Sequence, residues 1–532
     1  MKFFVKYTKI KKTGIWMLTI VSVLVLTGCT NLDEEVFSEV TEDTFVPAES
    51  DIIALMASTY TPLRFVMDWQ GYFDLQEESA DIIVTPTRPN GWDDGGVYKR
   101  MHWHKWDNLQ WQPTNTWRSC FRGINSINRV ILQVESGLIP VDEQQSAEII
   151  TEMRALRALY YSMLLDTHGN VPIITDYGEE LPVQNTRKEV FDFVEAELLE
   201  VVPSLTDSVA TISYGRMTKY AAYHTLARIY LNAEIYTGTP QWEKCINACD
   251  AIINDGKFSL ASSYKDIFAT QNDKNPEMVF AIPYDAIYAG QWTAHMKMLL
   301  PGHRNVFNME AQPWGGSSCN PQFIDSYEEG DNRLQDTWLM GDQRNINSGN
   351  VVMTLTKEMP SLEFCEATQG FRCGKYEIEE GATGALSNDF PFYRYTDVLM
   401  MKAECLLRMG RSEEAAQIVS EIRMRSFDNP EDAVVTGAEL EGDTTMEYGT
   451  LDTEGNIDEP GDQSPVQYGR FLDELGWEFA CEARRRTDLI RFGVFQTKNW
   501  YNHKPQGDHT VLFPIGLEEL NTNANLKQNT GY

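Results

Sequence analysis

Five of the thirteen tryptophans fall between positions 92 and 117: Trp92, Trp103, Trp106, Trp111 and Trp117. A flat indole stacks on the apolar C–H face of a sugar ring while neighbouring polar side chains bond the hydroxyls. Trp92 suits that chemistry best. It sits in Asn90-Gly91-Trp92-Asp93-Asp94-Gly95-Gly96, a run of loop formers with no helical or alternating apolar spacing. A loop tryptophan between glycines has little to pack on unless it serves recognition. Asp93 and Asp94 offer acceptors to hydroxyls, or merely shape the turn. Trp314, in Gln312-Pro313-Trp314-Gly315-Gly316, is the second candidate. Tyr288 and Trp292, on either side of Gly290, make a third aromatic group, in competition with ordinary core packing. Asp74 and Asn308 join the set as polar partners by neighbourhood alone.

Other chemistries find less support. His102 and His104 point the same way if Met101 to Trp106 is a strand, but no third metal ligand lies nearby, so both read as core or rim residues. Cys245 and Cys249 lie one helical turn apart without a second pair at zinc spacing. Asp452, Glu454, Asn456 and Asp458 alternate like a calcium loop, yet the glycine is misplaced at Gly455 and Gln463 stands where a bidentate glutamate belongs. Solvated acids are the better reading; no cofactor and no metal site is expected, and calcium is unsupported. A glycosidase needs two carboxylates at a set separation. With 78 acids in the chain, such pairs arise everywhere and carry no information. No serine elbow, Cys–His pair or metal motif stands out.

The first residues say where this chemistry would operate. Five lysines (Lys2, Lys6, Lys9, Lys11, Lys12) precede a twelve-residue apolar run, Ile15 to Leu26. Spanning a bilayer takes about 20 residues, so the run fits a secretory leader. Leu26-Thr27-Gly28-Cys29 then resembles a bacterial lipobox, in which the cysteine is acylated and becomes the new N-terminus. Residues 1–28 read as the signal peptide and 29–45 as a polar tether. The acids Asp33, Glu34 and Glu35 are similar to the export signal of surface lipoproteins in Bacteroidetes. The formal charge of −33 becomes −38 once the leader's lysines are removed. So acidic a surface repels nucleic acid and anionic lipid, and disfavours polyanionic ligands unless a local basic pocket exists.

The elements that must position the aromatics are mostly helical. Helices are expected over 48–65, 116–134 and 146–165, the last two from apolar residues recurring at three and four. Two hairpins follow, 216–236 with 242–254 and 396–409 with 412–426, the latter turning at Gly410 with Ser412 as the expected cap. Ala403, Gly410, Glu414 and Ala415 resemble the core of a tetratricopeptide repeat. Residues from about 257 to 391 lack helical periodicity and read as irregular structure with short strands. Residues 428–462 carry twelve acids and no Lys or Arg, and read as a solvated insertion. Cys365 and Cys373 flank a short polar stretch, at a spacing that permits a hairpin disulfide. Tyr468 to Arg491 reads as one charged amphipathic helix with Glu482 paired to Arg486.

That last stretch, Phe471-Leu472-Asp473-Glu474-Leu475-Gly476-Trp477-Glu478 through Gly493, resembles a hallmark of the SusD/RagB family of outer-membrane lipoproteins. Four further stretches are similar to family motifs. They are Trp117 with Ile124, Asn125 and Asn128; Met153 to Tyr161 with Gly169 to Pro172; Tyr393 to Glu404; and Leu512 to Ile515 with Asn521 to Tyr532. The resemblance implies a mainly α fold. A tetratricopeptide-like helical hairpin scaffold would form one domain, 46–532, with an irregular, loop-rich ligand-binding face. It implies a binding protein and not an enzyme: a lipid-anchored, surface-exposed outer-membrane protein that captures a neutral glycan and passes it to a SusC-like TonB-dependent transporter. The RagB branch implies peptide capture as the alternative; a surface glycoside hydrolase ranks behind both. Gly516, Cys120 and Cys405 depart from the usual motif residues and bear on packing.

Overall fold

A computed structural model describes residues 49–89, 92–178 and 180–532. The leader, Cys29, the tether, Asn90 and Gly91 lie outside the described residues. The first described helix, Glu49–Tyr60, continues as a tighter 3-10 segment, Thr61–Met67. Trp111–Glu135 and Glu143–Thr167 are the two longest helices, 25 residues each, and they pack on one another. Of the expected stripe, Trp117, Phe121, Ile124, Ile127 and Ile131, all are buried but Phe121, which is half-buried against the core. Gly123 sets how closely the helices approach. A Cβ there would fall 2.3 Å from the Tyr160 ring. Asp142 and Gln145 close a capping box at the start of the second helix. A helix absent from the sequence reading, Arg187–Val201, packs next to it and starts with its own capping box, Thr186 and Glu189.

The two helix hairpins are separated by more than 140 residues of sequence, yet they meet. Trp242–Ile253 packs against Lys219–Leu231 and also against Tyr395–Arg408, whose partner is Ser412–Arg423. The interrupted repeats are thus restored in space, and the buried Cys245, Cys249 and Cys405 thiols line that junction. Ser412 is not the cap. Arg411 holds that position, and the Ser412 hydroxyl donates to Glu441. Residues 257–391 are irregular as expected, braced by two-stranded ladders such as Met278–Ile282 with Phe390–Arg394. Ser318–Cys319 pairs back to Ile83–Val84.

The charged C-terminal stretch departs from its expected form. It is two helices, Gly469–Phe479 and Arg485–Arg491, and between them Cys481 (φ 64°) and Ala483 (φ 58°) take left-handed backbone. The reason is burial. One continuous helix would present its charges to water on one face, whereas here nearly every residue is inside. The break lets each charge meet a different partner. Glu474 receives Arg333 and Arg470, both at 2.9 Å, and Arg423. Glu478 receives Arg394 at 2.9 Å and Arg425 at 2.5 Å. Glu482 pairs with Lys375 at 2.6 Å and Arg394 at 2.7 Å instead of Arg486, which turns to Asp166. Burial raises the Glu474 carboxyl, but its arginines outweigh that and bring it down to about 2.

Two other expectations are corrected. Residues 428–462 are solvated only in part: Val435, Leu440, Met446 and Tyr448 are buried, and Asp473 accepts the Thr445 N–H at 2.7 Å. Asp452 folds its own turn by accepting the N–H groups of Glu454 and Asn456, at 2.8 and 2.9 Å. Cys365 and Cys373 are free buried thiols. Cys365 donates to Ser361 O, whereas Cys373 lies on a strand paired with Trp338.

Candidate functional site

The structure brings two of the sequence candidates together. Trp92 and Trp314, from loops more than two hundred residues apart, lie near-parallel with ring centroids 6.2 Å apart. Trp92 lies equally near, and nearly parallel, to Tyr98. Directly overlapped rings would lie closer than 4.5 Å, so these are displaced sideways; Tyr98 is buried beneath the two indoles. Trp69, at 5.6 Å and 75° to Trp314, turns an edge toward the array. Trp69, Trp92 and Trp314 are half-buried.

The backbone beneath explains the placement. Trp314 and Gly316 donate their N–H groups to Met296 O (2.7 Å) and Lys297 O (2.9 Å). The Trp92 indole then lies on the Gly316 backbone, where a Cβ would stand 2.3 Å from its Nε1. Arg88 laces the loops together. Its N–H donates to Trp92 O, and its buried guanidinium reaches Gly316 O, Glu366 O, Gln369 O and Ser318 Oγ. Burial without a facing carboxylate lowers its pKa to about 10.

Below the rings sits a buried charge cluster. The Lys297 ammonium lies 4.6 Å from the Tyr98 ring centre, pairs with Glu78 at 2.6 Å and donates to Asp74. Thr85 and Ser317 also donate to Glu78. One cation faces two carboxylates. Burial pushes the Asp74 carboxyl up to about 8, with Lys297 opposing and Glu78 adding. The three groups titrate as one coupled cluster, and burial favours its less charged form.

On the solvent side, Asp93 accepts from Thr87 Oγ1 (2.7 Å) and Lys99 (2.9 Å). Hydrogen bonds from Lys99 and Thr87 hold its carboxyl below the usual range. Asp94, at φ 50°, is different. Burial and the Asp93 charge raise its pKa, and its Oδ2 is buried with no hydrogen-bond partner among the described residues.

Comparison with known proteins agrees with this architecture. A family model described as "SusD family" matches residues 276–532, and a second, described as "Starch-binding associating with outer membrane", matches residues 37–231. The chain belongs to the SusD family. Among curated SusD-family relatives, a SusD-like protein of Formosa agariphila is 23% identical, over 94% of this chain and 96% of its own length. The starch-binding protein SusD of Bacteroides thetaiotaomicron is 23% identical, over 72% of each chain. The fold matches the solved surface glycan-binding protein A from Bacteroides uniformis with a TM-score of 0.69 at 19% identity, covering 91% of this chain and 99% of that one.

The remaining sequence candidates separate on this SusD-family scaffold. Trp292 is not at the surface: it has no exposed area and packs edge-on against Tyr284 and Tyr376, at 5.2 and 4.8 Å. Asp74 is equally buried, so it supports the array from below and meets no ligand. Asn308 (φ 50°) joins loops, donating to Glu380 and accepting from Asn345. Tyr288 is 87% exposed on a separate turn, held by Asp285, with no ring contact to the indoles. His102 ends a helix, Val97–His102, and His104 follows it with φ 52°, so the expected strand is absent. Both are core residues that burial keeps neutral, lowered to about 4 and about 3. Sequence reasoning missed Trp69 and Tyr98. Trp69-Gln70-Gly71, a tryptophan beside a turn glycine, is the signal that marks the former.

Proposed function

We propose that this SusD-family chain captures a neutral oligosaccharide at the outer-membrane surface on the Trp92–Trp314 step. The observation that carries the reading is that pair: two half-buried indoles brought together from distant loops, with Asp93 and Asp94 following Trp92 in sequence. Sugar rings stack on the exposed indole faces, and Asp94 and Asp93 accept from hydroxyls. Starch and glycan binding in the names of the relatives supports the same ligand class. In this reading Cys29 carries the lipid anchor, the chain takes no catalytic part, and the glycan passes to a TonB-dependent transporter.

Affinity electrophoresis of the purified protein in gels containing neutral polysaccharides tests the proposal. Retardation by at least one glycan, lost in Trp92→Ala and in Trp314→Ala with unchanged melting temperature, is expected. If no neutral glycan retards the protein, or if both variants run like the parent, the reading fails. Binding of extended peptides in that case would transfer the site to peptide capture.

A further inference from the structure

A second surface feature lies on the helical scaffold and shares no residue with the indole step. Arg118, Arg122, Asn125 and Arg129 follow one another at spacings of four, three and four along the Trp111–Glu135 helix, so they share one face. All four are exposed. Together with the half-buried Phe121 and the exposed Tyr177 they line a groove of about 460 Å³.

The electrostatics of that groove are unusual for this chain. Acids outnumber Lys and Arg by 78 to 45, and most arginines of the described residues pair with a carboxylate. Arg118 follows the rule and pairs with Glu518 at 2.5 Å and Glu519 at 2.6 Å. Glu519, the acid on the groove's rim, is thereby held by Arg118. Arg122 and Arg129 make no ion pair or side-chain hydrogen bond among the described residues. The backbone before Tyr177 is fixed from inside. Asn128 donates to Ile174 O (3.0 Å) and Asp176 O (3.3 Å), and Arg157 donates to Thr175 O (3.0 Å). An exposed aromatic is thus presented on a pinned loop beside two unpaired guanidinium groups.

We propose that this groove binds the acidic groups of a glycan, carboxylates or sulfate esters. The planar guanidinium matches either oxyanion with two parallel N–H donors. Arg122 and Arg129 lie two turns apart, about 10.5 Å along the axis. At that spacing each guanidinium can take a separate charged group of one ligand, an arrangement that suits the repeated charge of an acidic polysaccharide. Tyr177 and Phe121 offer ring surface on which a sugar can stack beside the two guanidinium groups, a pairing that suits a charged sugar chain better than a lipid headgroup. The groove supplies the local basic site that a polyanion needs on so acidic a chain. The proposal rests on the glycan-capture reading for its ligand class, but not on the indole step.

The test runs the full-length protein through gels holding polygalacturonate, chondroitin sulfate or neutral dextran, at low and at physiological salt. The double variant Arg122→Ser/Arg129→Ser, Tyr177→Ala and Trp92→Ala run beside it. These side chains are exposed or loop-borne, and melting temperatures confirm folding. Retardation by an acidic polysaccharide is expected, weakened about tenfold or more in the double variant, reduced in Tyr177→Ala and retained in Trp92→Ala. The carboxylate and sulfate gels show which oxyanion is taken. Absence of retardation by either acidic polymer, or an unchanged double variant, overturns the proposal. So does a double variant that instead loses binding to phosphatidylglycerol vesicles, which would make the groove a membrane contact. Acidic binding without any neutral-glycan binding would sink the indole-step reading and leave this one standing.

Discussion

Gly316→Ala isolates the role of the indole step with a single methyl group. Gly316 does not occupy left-handed backbone, so alanine fits its φ without strain. Its Cβ, however, would stand 2.3 Å from Trp92 Nε1 and 2.8 Å from Cε2. Ordinary contact begins near 3.4 Å, so the indole must retreat by about 1 Å or swing away. The chain loses little stability, because a half-buried side chain on a loop yields more cheaply than backbone, and replacing glycine contributes about 0.4–1 kcal/mol in return. Binding loses more. Trp92 no longer presents its ring in line with Trp314, and a loss of about 1.4–2.8 kcal/mol of ring–sugar contact corresponds to a glycan affinity weaker by roughly tenfold to a hundredfold. Isothermal titration with the glycan identified by electrophoresis measures this, and a thermal melt controls for folding. The decisive control is a double-mutant cycle. If Gly316→Ala acts through Trp92, it costs nothing further in a Trp92→Ala background. Undiminished affinity in Gly316→Ala, or full additivity in the cycle, would refute the reasoning.

Three other outcomes are expected. Lys297→Met leaves Glu78 buried without its cation and should cost about 3–5 kcal/mol in urea unfolding; a loss below about 1 kcal/mol would mean that the cluster does not support the array. Trp292→Ala should cost a similar 3–5 kcal/mol as a core cavity, whereas Tyr288→Ala, at an exposed position, should leave unfolding within about 0.5 kcal/mol of the parent. Seven buried histidines (His102, His104, His168, His224, His295, His303 and His503) have lowered pKa values. Their stabilisation is present above the unfolded value of about 6.5 and is lost progressively as pH falls below it, each by up to about 1.4 kcal/mol per pH unit. Asp74, Glu77 and Asp473, raised to about 8, 7 and 6, and Asp94, Asp336 and Asp389, also raised, act in the opposite sense, but the histidines outnumber them. Denaturant midpoints should therefore fall between pH 6.5 and 5, and a flat profile would contradict the burial of the histidines.

Legibility of the fold in the sequence followed the strength of local signals. Apolar residues at three and four mark the long helices because each buries one face only. The Arg187–Val201 helix also carries its start signal, Thr186 and Glu189, with Val190, Phe191, Val194 and Leu198 as its buried stripe. The C-terminal break was not legible, since Glu474, Glu478 and Glu482 at four-residue spacing also suit one solvated helix. Only partners distant in sequence, such as Arg333, Arg394 and Lys375, reveal that they are inside. In the candidate site, loop composition distinguishes Trp92 and Trp314 from helix-stripe aromatics. It does not separate Trp314 from Trp292, because both follow glycine-rich or turn-rich sequence and burial depends on what packs over them. The charge cluster under Tyr98 joins residues 74, 78 and 297, and no local pattern links them.

The buried arginines also change what the solvent meets. A formal charge of −33 counts every cation as if it faced water. Arg333, Arg394, Arg423, Arg485, Arg486 and Lys297 do not: their charges are cancelled inside by buried carboxylates. The inner pairs drop out of the far field, and the excess of acid is left on the outer shell. Such a shell behaves as a polyelectrolyte that gathers a sheath of counter-ions. Copies held side by side on one surface repel over a distance set by that sheath, about 8 Å at physiological salt and about 30 Å at 0.01 M. The ionic strength of the surroundings thus sets how densely these molecules can crowd.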